Sequence, residues 1–172
     1  TFTMGFFDKL FGGKAKDENT SKFTNQSKTI LTPLQGKVLA QADIPDETFA
    51  QGILGPGCGI EPTGDTVYAP FDGTVTQIAT TRHAVGMTSS EGTELLIHVG
   101  MDTVDMKGQG FTALVKEGQK VTAGTPLLKV DLDAIRAAGH PTATAIIVTD
   151  GADDVKMLAE GDVVPGTPLF KV

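Results

Sequence analysis

Positive charge is scarce in this chain of 172 residues: 14 lysines and arginines face 21 aspartates and glutamates, a formal net charge of -7. Nucleic acid needs a basic footprint, so this balance argues against it and favours a partner with a positive patch. Cys58 is the one cysteine, so no disulfide framework can form within the chain and a reducing interior is allowed. Tryptophan is absent and aromatics make up only 6%. No run approaches the roughly 18 apolar residues of a membrane span. The N-terminus also lacks the long apolar region of a secretory signal. What the chain has in quantity is turn material, 21 glycines and 9 prolines, in a sequence that is 40% hydrophobic. The length is enough for one domain with a real core.

Thr1–Thr3 read as a remnant ahead of a natural start at Met4. Phe6, Phe7, Leu10 and Phe11 then fall on one face of a short helix, with Asp8 and Lys9 off that face. Residues 1–13 are therefore expected to form a short amphipathic segment able to touch a membrane surface. Gly12-Gly13 break the pattern, and residues 14–29 read as a flexible polar linker. The globular domain is expected over residues 30–172.

Within it, short apolar stretches are cut by glycine and proline: Lys37–Ala40, Thr66–Ala69, Gly73–Ile78, Leu95–Val99, Leu127–Val130 and Ala143–Val148. Each has strand length and many are β-branched, which predicts an all-β antiparallel sandwich or closed barrel. Three short helical pieces are expected, at Asp46–Gln51, Asp131–Ala138 and Ala152–Glu160. The last two have acidic starts and a glycine just past the end.

The domain also repeats itself. Leu31-Thr-Pro33-Leu-Gln-Gly36-Lys-Val38 matches Tyr68-Ala-Pro70-Phe-Asp-Gly73-Thr-Val75. Glu117-Gly118 through Gly124-Thr-Pro126-Leu-Leu-Lys-Val130 matches Glu160-Gly161 through Gly166-Thr-Pro168-Leu-Phe-Lys-Val172. A duplicated supersecondary unit packed as a pseudo-symmetric sandwich explains both pairs.

The chemistry is carried by histidine. Gly92-Thr-Glu-Leu-Leu-Ile-His98-Val-Gly100-Met-Asp102-Thr103-Val104 ends an apolar strand in an imidazole. Alternation puts Leu95, Ile97 and Val99 on the inner face and His98 on the other with Glu94 and Leu96. His83 follows the strand that begins at Gly73, and adjacent antiparallel strands bring it beside His98. His140 sits in a turn after a helix and is expected to be structural or solvated. A neutral imidazole nitrogen is a good nucleophile, so His98 and His83 with the Thr81 hydroxyl suit phosphoryl transfer through a phosphohistidine. Zinc is the alternative chemistry. Two histidines fall short of the three or four ligands it needs, so Asp102 or a partner would have to complete the set.

These segments resemble the glucose-type enzyme IIA, EIIA type 1, of the bacterial phosphoenolpyruvate-dependent sugar phosphotransferase system. The resemblance runs in order through the domain. It takes in Thr32-Pro33-Leu34-Gln-Gly36, Ile44-Pro45-Asp46 with Phe49-Ala50, Glu61-Pro62-Thr63-Gly64, Ala69-Pro70-Phe-Asp72-Gly73-Thr74 and Thr81-Arg-His83-Ala84. The His98 stretch, Lys107-Gly108-Gln-Gly110-Phe111 and Glu117-Gly118-Gln119 follow. The resemblance implies a duplicated β-sandwich, with His98 taking the phosphoryl group on Nε2, His83 hydrogen-bonding it, Thr81 orienting His83 and Asp102 close by. It implies the phosphohistidine form of HPr as donor and a cysteine of a sugar permease IIB domain as acceptor, in a cytoplasmic protein that needs no cofactor; nothing in the sequence suggests more than a monomer. Phe49, Ile53, Leu54 and Leu96 match the family's apolar docking face, and Val99 is carried with them. Ala79 stands where an aromatic is frequent, and Gly55-Pro56-Gly57-Cys58-Gly59 departs from the pattern.

Two other functions compete. A regulatory module would bind other metabolic proteins through the same unphosphorylated face, with zinc shared between His83, His98 and a partner carboxylate. A zinc peptidase would need a His-x-His element, and the chain has none.

Overall fold

The computed structural model describes residues 22–172. The expected amphipathic segment 1–13 and the linker as far as residue 21 lie outside the described residues. Within them, fourteen strands and two short α-helices alternate with turns. No helix there is long and apolar enough to cross a membrane.

The strands form three antiparallel sheets. The largest has the order β13-β2-β3-β11-β7-β6-β5-β9. Its members are β2 (Gly36–Leu39), β3 (Gly57–Pro62), β5 (Gly73–Ile78), β6 (Ala84–Ser89), β7 (Glu94–His98), β9 (Lys120–Val121), β11 (Thr144–Asp150) and β13 (Asp162–Val163). Two three-stranded sheets complete the fold: β1 (Thr29–Leu31), β14 (Pro168–Lys171) and β12 (Lys156–Met157), and β4 (Thr66–Tyr68), β10 (Pro126–Val130) and β8 (Phe111–Ala113). One apolar cluster joins all three, with Ile60, Val75, Val85, Leu95, Ile97 and Ile146 of the large sheet meeting Ile30, Phe170, Val67 and Leu128 of the small ones. That is the expected β-sandwich, held by burial of the faces that alternation turns inward.

The repeats explain the topology. Each Pro-x-x-Gly unit pairs with one Gly-Thr-Pro-Leu unit: β1 with β14 and β2 with β13 in one copy, β4 with β10 and β5 with β9 in the other. The copies also bond reciprocally, Leu31 N–H to Pro70 O at 3.0 Å and Tyr68 N–H to Pro33 O at 2.8 Å. Thr32 and Ala69, at equivalent places, accept from Gly166 and Gly124, both at 2.9 Å. Gly36 and Gly73 are glycine for one reason. A β-carbon at either would lie 2.1 or 2.2 Å from a carbonyl oxygen of the next strand, Glu61 O or Thr88 O.

A second, smaller cluster of Ile44, Phe49, Met101, Ala145 and Ile147 lies on the opposite face of β11, so that strand is buried on both sides. It is covered by α1 (Glu47–Ala50), whose N-cap Asp46 accepts from Thr48 N and Phe49 N. Gln41 ties this cover down, donating to Phe49 O and Gly55 O at 2.9 Å and accepting from Gly57 N at 3.2 Å.

Three expectations need correction. Ala152–Glu160 is not a helix. Lys156–Met157 pairs with β14 instead, and Leu158 N–H bonds Leu169 O at 2.8 Å. So short a helix is marginal alone, and a sheet edge offered its backbone better partners. The end of the expected linker is packed on the domain. Thr29 lies in β1, Asn25 accepts from Asp72 N at 2.8 Å, and Ser27 Oγ and Lys28 N donate to Glu91 at 2.5 and 2.7 Å. Gly55–Gly59, the segment that departs from the family's pattern, leads into β3, with Gly55 and Gly57 so close to β11 that a β-carbon would lie 2.0 Å from Val148 O or Ile146 O. Val99 is fully buried (0% exposed) in the main core, so its side chain is no part of a docking surface. The other two helices form, as α1 and α2 (Leu132–Ala137), the latter N-capped by Asp131 and followed by Gly139 at φ 85°.

Candidate active site

His98 is the last residue of β7, a strand paired on both sides. Ala84 of β6 and Ala145 of β11 are its partners across the ladder. Leu95 and Ile97 point into the core while Glu94, Leu96 and His98 face out, as alternation requires. The ring is half-buried, and its Nδ1 lies 2.9 Å from Gly100 O. A carbonyl oxygen only accepts, so in the neutral ring Nδ1 carries the proton and Nε2 keeps its lone pair.

Gly100 makes that contact available. Its φ is 74°, and a β-carbon would lie 2.5 Å from the Thr103 methyl and 3.1 Å from Pro141 O. The turn is pinned by Thr103 Oγ1 donating to Val99 O at 2.6 Å and Met101 N–H to Pro141 O at 3.1 Å.

His83 enters from the turn between β5 and β6. Arg82 N–H closes that turn onto Ala79 O at 2.7 Å, and Val99 N–H bonds His83 O at 2.8 Å. The His83 ring sits edge-on to His98, with centroids 4.7 Å apart and planes at 83°. Thr81 Oγ1 is 2.7 Å from His83 Nδ1, and the Phe111 ring closes the far side at 6.3 Å. The structure therefore brings Thr81, His83 and His98 together.

Both rings are held neutral. Burial first, and then the neighbouring His98, push the pKa of His83 down from 6.5 to about 4. Burial likewise lowers that of His98. The Gly100 carbonyl and the carboxylates of Asp46 and Asp102 oppose that shift because they favour a positive ring. At neutral pH the site offers two uncharged imidazoles.

Apolar groups surround the pair. The Phe49 ring lies 5.0 Å from His98, Leu96 is half-buried beside it on β7, and Ile53 and Leu54 are 67% and 42% exposed. Asp102 is exposed with a left-handed backbone at φ 60°, and it opens a 3-10 turn, Thr103–Met106, that presents Val104 at 52% exposure. His140 follows α2, with its N–H on Ile135 O at 3.1 Å. Sequence reasoning did not find Asp46 as a charge acting on His98, nor Val104 as exposed apolar surface. Asp46 is legible only as a helix cap, and its field acts through space. Among the described residues no group of three or more His, Cys, Asp or Glu side chains is placed to hold a metal ion. Two histidines alone fall short of a zinc site.

Comparison with known proteins identifies the family. Residues 28–154 match the family model for the phosphoenolpyruvate-dependent sugar phosphotransferase system, EIIA 1. The chain is 45% identical over 146 residues to the glucose-specific EIIA component of Halalkalibacterium halodurans, covering 84% of this chain and 83% of that protein. It is 47% identical over 149 residues to the β-glucoside-specific EIIBCA component of Bacillus subtilis, covering 87% of this chain but 24% of that longer protein. The solved glucose permease IIA from Mycoplasma capricolum superimposes with a TM-score of 0.78 at 30% identity, over 87% of this chain and 98% of that one. The chain belongs to the EIIA 1 family of the phosphoenolpyruvate-dependent sugar phosphotransferase system, whose members are phosphocarriers working between HPr and IIB domains.

Proposed function

We propose that His98 Nε2 is the atom that carries the phosphoryl group. The observation that supports this best is the 2.9 Å contact from Nδ1 to Gly100 O, which leaves the lone pair on Nε2. In the first step that lone pair forms a bond to phosphorus while the P–N bond of phospho-HPr breaks, its electrons returning to the donor ring. In the second step a IIB cysteine thiolate attacks the same phosphorus, and the P–Nε2 electrons return to His98.

The His98 ring gains positive charge as its lone pair is used. Gly100 O, Asp46 and Asp102 are the groups that favour a positive ring, so they stabilise that charge where it develops. His83 donates Nε2–H to a phosphoryl oxygen, and in that tautomer its Nδ1 accepts from the Thr81 hydroxyl 2.7 Å away. Ile53, Leu54, Leu96 and Val104, backed by the Phe49 ring that is itself buried beneath them at 6% exposure, form an apolar surface on which HPr and then IIB dock in turn. The choice of sugar rests with the membrane and IIB partners, since relatives of this chain are named for glucose and for β-glucosides.

The test is intact-mass spectrometry under non-acidic conditions after incubation with phosphoenolpyruvate, enzyme I and HPr. The expected result is a gain of one phosphoryl group, lost on mild acid treatment and absent in His98→Gln. Normal labelling of His98→Gln, or no labelling of the wild type by active upstream proteins, would overturn the reading.

A further inference from the structure

Arg82 stands between the two residues that define the second histidine. Its backbone is left-handed, with φ 59°, a conformation that glycine and asparagine adopt readily and other residues seldom do. The turn demands it. Arg82 N–H closes onto Ala79 O at 2.7 Å, and Ala79 N–H resumes the ladder on Ala84 O at 3.0 Å. The reversal puts Thr81 and His83 close enough for their 2.7 Å hydrogen bond. Nothing in that backbone favours arginine.

What arginine adds is its guanidinium. Nε donates to Phe111 O at 3.2 Å, and Nη2 to Gly108 O at 3.4 Å. Both acceptors are more than 25 residues away in sequence, on the segment leading into β8. That segment carries Phe111, the ring that faces His83. Gly108 leaves the room required, because a β-carbon there would lie 2.7 Å from Nη2. A planar fork can hold two carbonyls at once, whereas an ammonium acts as a point charge.

We infer that Arg82 is a positioning residue for the second histidine: its guanidinium bridges Gly108 O and Phe111 O, clamps the turn against the wall that carries Phe111, and so holds the Thr81–His83 hydrogen bond. The effect on transfer rests on the phosphocarrier role proposed for His98 and His83. The effect on the His83 ring does not.

Two variants separate the bridge from the charge and from the turn. Arg82→Gly keeps the turn, whose backbone glycine prefers, and removes the guanidinium. Arg82→Lys keeps the charge and removes the fork. In each, imidazole ¹⁵N shifts of His83 are read in the unphosphorylated protein, together with melting temperature and the rate of transfer to IIB. We expect both variants to stay folded and the His83 shifts to move from one tautomer towards the average of two. Transfer should fall about tenfold, less than the roughly hundredfold that an ångström of misplacement brings. His98 should still label to completion.

Unchanged His83 shifts and unchanged transfer in Arg82→Gly would overturn the inference. So would full recovery in Arg82→Lys, which would assign the effect to charge, and so would loss of the fold in Arg82→Gly. A wild type that fails to label would instead defeat the phosphocarrier assignment, and the His83 shifts would still decide the role of Arg82.

Discussion

The two histidines lie 4.7 Å apart but are held by different kinds of structure. His98 is fixed by backbone: a strand paired on both sides, and the Gly100 carbonyl on its Nδ1. His83 is fixed by side chains: Thr81 on Nδ1 and Phe111 against the ring, at the end of a turn that Arg82 ties down. The tautomer of His98, the proposed nucleophile, is thus written into the main chain, where substitution of neighbours reaches it least. The donor's tautomer depends on a hydroxyl, whose proton can point either way. In the proposed roles, the atom that would bond phosphorus sits on the more rigid support, and the one that would only hydrogen-bond it sits on the softer one.

Substitutions test this asymmetry in descending order of effect. His98→Gln removes the bond-forming atom and should abolish phosphoryl acceptance, read as no mass gain. His83→Gln should still label but pass the group on about 10²–10³-fold more slowly, the loss that follows removal of one transition-state donor. Equal loss of labelling in both variants would erase the distinction between acceptor and stabiliser. Thr81→Val should slow transfer by about fivefold to tenfold, the worth of one hydrogen bond, without changing the extent of labelling.

Stability against pH gives the smallest effect. The folded-state pKa of His83 lies below its ordinary value, at about 4 rather than 6.5. Between those values the unfolded chain binds a proton that the folded chain does not. His83 therefore contributes stability that is fully present above pH 6.5 and is lost as pH falls towards 4. His83→Gln should lose stability on acidification from about pH 6.5 to 5 less steeply than the wild type, by on the order of 1–2 kcal/mol in denaturant titrations. Parallel curves would contradict the burial of an uncharged ring.

Much of this was legible in the sequence because it rests on local pattern. Alternation along Glu94–His98 placed His98 outward and Leu95 and Ile97 inward, and the two repeats pointed to duplication before any pairing was visible. What the repeats could not say was which unit pairs with which, because the partners lie more than 40 residues apart. Ala152–Glu160 carries end signals for a helix, and a tertiary partner, β14, overrode them. Gly55 and Gly57 mark a close approach to β11 that only the folded chain reveals. Asp46 and Arg82 escaped for a similar reason. One acts on His98 through its field and the other through carbonyls distant in sequence, and neither leaves a periodic trace.

The most direct test of the central claim is ¹⁵N imidazole NMR at neutral pH, before and after phosphorylation. His98 is expected to be a single neutral tautomer protonated on Nδ1, and on phosphorylation its Nε2 resonance alone should gain a coupling to phosphorus. A His98 ring protonated on Nε2, or phosphorus coupled to His83, would contradict it.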